Sequence, residues 1–171
     1  MNALVCGVAV LFLLGGCGKA QDNDAAQVKQ DVTAQRNIAE SAVRIDRLLT
    51  EGTALLSQGY IPAALKTFDE AIKENPNDSR GYIALGQAYV RIKKLDQAIE
   101  TFKMILDFSP ENAEAHYLIA MAHGLKGERD TAAQYAQKSM QLAQSQKDQP
   151  MFLRSAAMLK GLADAQQGVG N

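Results

Sequence analysis

From Leu48 onward the apolar positions return in blocks, and the blocks themselves repeat. Shifting Leu48–Pro76 forward by 34 residues carries Gly52 onto Gly86, Ala64 onto Ala98, Phe68 onto Phe102 and Pro76 onto Pro110. A second shift takes Ala98 to Ala132, and Gly127 follows Gly59 by 68 residues. A fixed period of this length marks a repeat architecture, in which each unit buries its apolar face only against its neighbours.

The flanks carry their own patterns. Gly18–Asn23 is polar and reads as a short linker, about 20 Å long at roughly 3.5 Å per residue. Asp22 or Asp24 is placed to cap a leading helix from Ala25 to about Ile45. Its stripe is Val28, Val32, Ile38 or Ala39, Ala42 and Ile45. Such a stripe caps the first repeat, joins the first repeat helix in one rod, or pairs with another protein. At the far end Pro150 suits a first helical turn. Met151, Phe152, Ala156, Leu159 and Leu162 or Ala163 then continue at helical spacing to about Gln166, and Gly168–Asn171 reads as a frayed end.

The repeated block resembles the tetratricopeptide repeat, whose 34-residue unit is an antiparallel helix pair. Unit two, 79–112, carries Tyr82, Leu85, Gly86, Tyr89, Ala98, Phe102 and Pro110 in register, with Ile105 for the final Ala and Lys93 for the turn Gly. Unit one, 45–78, supplies Leu48, Gly52, Leu55, Gly59, Ala64, Phe68, Ala71 and Pro76, and departs at Glu51. Unit three, 113–146, keeps Ile119, Ala120, Gly127 and Ala132 but has His116, His123 and Ala136 at aromatic positions and no closing Pro. The resemblance implies an all-α solenoid of about three helix pairs (45–146), preceded by a leading helix (24–44) and closed by a capping helix and tail (147–171). Gly52, Gly86 and Ala120 are expected to let the helices of a unit approach, and Phe68 and Phe102 to fill the gap between units.

The first residues change the picture of where such a chain sits. Ala3–Leu14 is an uncharged apolar run, too short to span a bilayer comfortably. It ends in Leu14-Gly15-Gly16-Cys17, which resembles the lipobox of bacterial lipoproteins. That implies a signal peptide over 1–16, a mature chain starting at a lipidated Cys17 and a tether over 17–23. The lipid is covalent, and no other cofactor is expected. Gly18 and Lys19 after the Cys resemble the default sorting signal for the outer membrane, periplasmic face; in a cell with one membrane the same anchor faces outward.

Cys6 and Cys17 are the only cysteines, so no disulfide or thiolate metal site is expected in the repeats. Eighteen basic residues against 19 acidic ones, interspersed, give no basic surface for nucleic acid. His116 and His123 sit one above the other on a helix about 10.5 Å apart, too far for one metal, and read as structural. No nucleophile, phosphate loop or metal motif is legible, so neither an enzyme nor a small-molecule site is expected.

What remains is a surface. In the family the first helices of successive units line a groove. Carried over by position, its residues are Asp46, Leu49, Thr53 and Leu56, then Arg80, Ile83, Gln87, Val90 and Arg91, then Glu114, Tyr117, Met121 and Leu125. This apolar groove with Arg80 and Arg91 beside it suits an amphipathic helix or an apolar segment with an acidic residue. The chain's own terminal helices are the competing occupants. The expected function is a membrane-anchored adaptor for an envelope protein, resembling the lipoproteins that assemble pili or secretion systems. The alternative is a docking regulator of a peptidoglycan hydrolase or envelope protease, and the leading stripe leaves room for a homodimer.

Overall fold

The computed structural model describes residues 20–167, with side chains from 32 to 165. The signal segment, Cys17 and Gly168–Asn171 lie outside the described residues. Seven helices and no strand occur among those described: α1 (Ala20–Ser57), α2 (Ile61–Glu74), α3 (Ser79–Arg91), α4 (Leu95–Phe108), α5 (Ala113–Lys126), α6 (Arg129–Ser145) and α7 (Gln149–Gln167). The chain divides into two compact units, one ending at Glu40 and one beginning at Ser41. In the first, Val32 and Ile38 are exposed and Arg36 pairs with Glu40 at 2.8 Å. Residues 20–23, expected as linker, are already helical, so neither Asp22 nor Asp24 caps α1. That stretch contains no Gly or Pro to stop a helix. The helix also runs without a break through 44 and 45, where a boundary between leading helix and first repeat was expected.

In the second unit each helix packs on the next, so helices pair as α1/α2, α3/α4 and α5/α6, with α7 on α6 and α5. The turn inside each pair is the same. Gly59 (φ 85°), Lys93 (φ 61°) and Gly127 (φ 83°) are left-handed. The next N–H reaches back to a carbonyl five residues earlier, as in Tyr60 to Leu55 (2.9 Å), Lys94 to Tyr89 (2.9 Å) and Glu128 to His123 (3.0 Å). This satisfies a carbonyl that the helix end would leave orphaned. Lys93 holds a conformation that glycine adopts without cost.

The core of each pair is a glycine against a ring. A Cβ added to Gly52 would lie 2.5 Å from Cε1 of Phe68, and one added to Gly86 would lie 2.3 Å from Cε1 of Phe102. Phe68 and Phe102 are essentially fully buried. Each ring therefore packs inside its own unit, and it also reaches the next one: Phe68 clusters with Ala88 of α3, and Phe102 with Leu118, Ile119 and Ala122 of α5. Unit three has Ala120 and Ala136 at the corresponding places, both buried. With a methyl group where the ring would be, the first helix carries a methyl of its own. Tyr135, one residue earlier, supplies aromatic bulk to the same core.

Between pairs the chain is closed by proline and a capping side chain. Asp78 accepts from the Arg80 N–H at 3.0 Å to start α3, and Asn112, 34 residues on, accepts from the Ala115 N–H at 2.8 Å to start α5. The Tyr82 hydroxyl donates to the Pro76 carbonyl at 3.0 Å, and His116 Nε2 stands at 3.0 Å from the Pro110 carbonyl. His116 thus copies Tyr82, one repeat later. Because the carbonyl only accepts, Nε2 carries the proton, and the buried Nδ1 is left without a partner. Burial, partly offset by the bond to Pro110, holds this imidazole below the usual histidine range. Unit three lacks the proline, and α6 runs to 17 residues where α2 and α4 have 14. The exit is a left-handed turn at Lys147 (φ 59°), with Asp148 capping α7 through the Met151 N–H at 3.0 Å.

Three outcomes are expected. Lys93→Gly raises thermal stability by about 1 kcal/mol, because it removes left-handed strain from a lysine at the cost of some chain entropy. Gly86→Ala lowers stability by about 2 kcal/mol, since overpacking against the Phe102 ring outweighs roughly 1 kcal/mol of helix propensity. Phe102→Leu in that background makes the double variant more stable than the sum of the single changes, which a thermal double-mutant cycle reads. For His116, the folded chain binds its proton more weakly than the unfolded chain, so stability rises with pH through this window. Its contribution is present above the unfolded value near 6.5 and is lost as pH falls through the lowered folded value. His116→Tyr keeps a donor for Pro110 and flattens the stability profile between about pH 5 and 7 relative to wild type.

Candidate functional site

The first helices of the three pairs present matching rows, set by the 34-residue period. Leu49, Ile83 and Tyr117 form one row, and all three are half-buried. Leu49 and Leu56 lean on the cluster around Phe68, Ile83 and Val90 on that around Phe102, and Tyr117 and Met121 on the latter as well. The neighbouring row is Thr53, Gln87 and Met121, of which Thr53 and Gln87 are exposed. Thr53 turns its hydroxyl back to the Leu49 carbonyl at 2.7 Å. Leu125 is 58% exposed. The expected groove residues therefore divide into an apolar floor that is partly core and an exposed polar row. Ile83 touches two core clusters, so Ile83→Arg disturbs packing and does not cleanly test binding.

The charges also divide. Arg80 reaches Asp78 at 2.7 Å and, from α3 to α1, Asp46 at 2.5 Å. The guanidinium holds the Asp78 carboxyl below the usual carboxylate range, and the same pairing raises Arg80. Expected to face a partner, Arg80 is instead engaged within the chain. At the other end of α5, Lys126 pairs with Asp96 of α4 at 2.6 Å and with Glu128 at 2.7 Å, and Glu128 also holds His123. Lys126 is raised, first by its bond to Asp96, and Glu128 is lowered, first by its bond to Lys126. These exposed pairs contribute little to stability. Arg91 is exposed and makes no ion pair among the described residues.

The two histidines take separate roles. His116 bonds Pro110, while His123 stacks on Tyr135 at 5.6 Å and bonds Glu128. Three clefts in this unit, of about 280, 300 and 210 Å³, are lined by Phe152 and Lys147, by Glu111 and Asp148, and by His116 and Lys138 respectively. They sit at or below the lower end of small-molecule pockets.

Sequence reasoning missed what α7 adds. It was read as a cap, but it continues the row: Phe152 and Tyr117 pack against one cluster, built on Ala113, Leu142, Ala143 and Met151. The Arg154 guanidinium lies over the Tyr117 ring, 4.6 Å from its centroid. Ser155 meets Ser139 of α6 at 2.8 Å, and Ser139 donates to the Ala113 carbonyl at 2.7 Å. The signal was available as spacing, since Phe152 follows Tyr117 by 35 residues, but the one-residue slip hid it behind the exact period.

Comparison with known proteins agrees with this geometry. Two family models, each described as tetratricopeptide repeat, match residues 55–122 and 113–146. The chain is 27% identical over 88 residues to the Hsp70-Hsp90 organizing protein 3 of Arabidopsis thaliana, covering 52% of this chain and 15% of that protein. It therefore spans well under a fifth of that relative's length. Among solved structures, the Yersinia enterocolitica type III secretion chaperone SycD in complex with a peptide of the translocator YopD superposes with a TM-score of 0.60 at 19% identity, covering 71% of this chain and 93% of that one. PcrH from Pseudomonas aeruginosa gives 0.62 at 20% identity, covering 70% and 91%. At these identities the structures speak for the fold. With the glycine–phenylalanine pairs, the shared turns and two matching models spanning more than half of its length, the chain belongs to the tetratricopeptide repeat family.

Proposed function

We propose that this protein is a membrane-anchored adaptor whose first helices hold a segment of a partner protein. The observation that carries this is the half-buried apolar row Leu49, Ile83 and Tyr117 beside the exposed polar row Thr53 and Gln87. An apolar floor with a polar rim is the arrangement that seats an amphipathic helix or an extended apolar segment. A structural neighbour holds a translocator peptide, which supports the same use here. The lipobox-like Leu14-Gly15-Gly16-Cys17 places the anchor at Cys17. A triacylated cysteine, at roughly 0.8 kcal/mol per buried methylene, holds a protein firmly to a bilayer. On this reading the protein sits on the periplasmic face of the outer membrane and serves assembly of an envelope complex such as a pilus or secretion system.

Two measurements test it. Cys17→Ser abolishes labelling with radioactive palmitate and moves the protein from the membrane to the soluble fraction. Crosslinked recovery from membranes is then run with wild type and with Gln87→Arg, an exposed position whose melting is expected to stay within about 0.5 kcal/mol of wild type. A pilus or secretion component recovered with wild type and lost with Gln87→Arg is the expected result. Equal recovery with both would remove the groove as the binding site, and a hydrolase in place of an assembly component would make the protein a docking regulator.

A further inference from the structure

We propose that Arg154, laid flat on the Tyr117 ring, is the residue that reads an acidic side chain of the bound segment. The inference rests on the groove reading above and adds to it the chemistry of the partner: an apolar segment carrying a carboxylate at its α5–α7 end. Three observations carry it.

The first is the stack. The Arg154 guanidinium stands 4.6 Å from the centroid of Tyr117, whose ring is half-buried against two core clusters and so does not swing away. An aromatic face holds a guanidinium by cation–π attraction and leaves its N–H edge free. The second is that this edge is unused. Arg154 is exposed and makes no ion pair and no hydrogen bond among the described residues. Glu114, one turn before Tyr117 on α5, does not pair with it. The third is contrast. Arg80, the cation that repeat position alone would nominate, is engaged by Asp46 and Asp78. Arg91 is the other unpaired cation on this face, but no ring contact positions it.

A pre-positioned guanidinium fork beside an apolar floor of Tyr117, Ile83 and Met121 fits a carboxylate flanked by apolar side chains. The fork accepts it through two parallel N–H bonds, which a lysine cannot match. Because the guanidinium is already held by the ring, little side-chain freedom is lost on binding.

The test uses the full-length chain in detergent micelles and a displayed library of random peptides about 20 residues long, enough for a helix of roughly 30 Å. Library peptides retained by wild type and displaced by Gln87→Arg define groove binders. The proposal expects Asp or Glu to be enriched beside apolar residues. It also expects the selected peptides to bind Arg154→Gln about tenfold more weakly, a loss of about 1.4 kcal/mol. Arg154→Lys, which keeps the charge without the flat fork, recovers only part of that affinity. Arg154→Glu should select basic peptides instead. Thermal melting checks each variant. Groove binders without acidic enrichment, or binding unchanged in Arg154→Gln, would overturn the role of Arg154 and leave the groove standing. If wild type retains no library peptide at a site that Gln87→Arg blocks, the groove reading itself falls, and this inference with it.

Discussion

The repeat unit depends on how closely its two helices approach, and that is decided by one contact. A ring on the second helix lies where a first-helix side chain would otherwise project, so the first helix has none. A Cβ at Gly52 or Gly86 would overlap Phe68 or Phe102 by more than half an ångström relative to the closest tolerated contacts. Because each ring also touches the first helix of the following pair, the same contact that closes a unit stacks it on the next. Stability in such an array is shared between a unit and its neighbours.

Unit three shows that the constraint is on the sum of the two positions. Ala120 and Ala136 divide between them the volume that the other units give wholly to the ring, and Tyr135 restores the missing aromatic mass from the adjacent position. His116 likewise keeps the bond to the proline carbonyl that Tyr82 makes, with a smaller ring and one buried nitrogen unmatched. These replacements look like decay of a pattern when taken singly. Taken together they are a second solution to the same packing problem. The absent proline has a consequence of a different kind: α6 gains a turn, the exit bends at Lys147, and α7 arrives one residue out of phase.

That phase shift matters for binding. A seventh helix placed as a lid would cover the first-helix face; placed as a further first helix, it lengthens the face instead. Phe152 and Arg154 on α7 adjoin Tyr117, so the third pair is extended and not closed off. The chain's charge on this face is then set less by how many arginines it has than by which of them already have partners.

The period, the helix pairs, the turn positions and the glycine–phenylalanine partners were legible in the linear chain, because each follows from local spacing. A left-handed turn wants glycine, a close approach wants a small residue, and a helix end wants proline, all at fixed offsets. Even the exception at Lys93 was visible as a residue standing where glycine belongs. The rows of the candidate groove were legible for the same reason, but their depth was not. Whether Ile83 is floor or core, whether Arg80 is free or held by Asp46, and whether Arg154 lies over Tyr117 depend on contacts between residues 32 to 57 positions apart or more. Ion-pair partners and ring contacts of that kind have no periodic trace. They exist only once the helices are stacked, and it is the stacking that decided which side chains remain available to a partner.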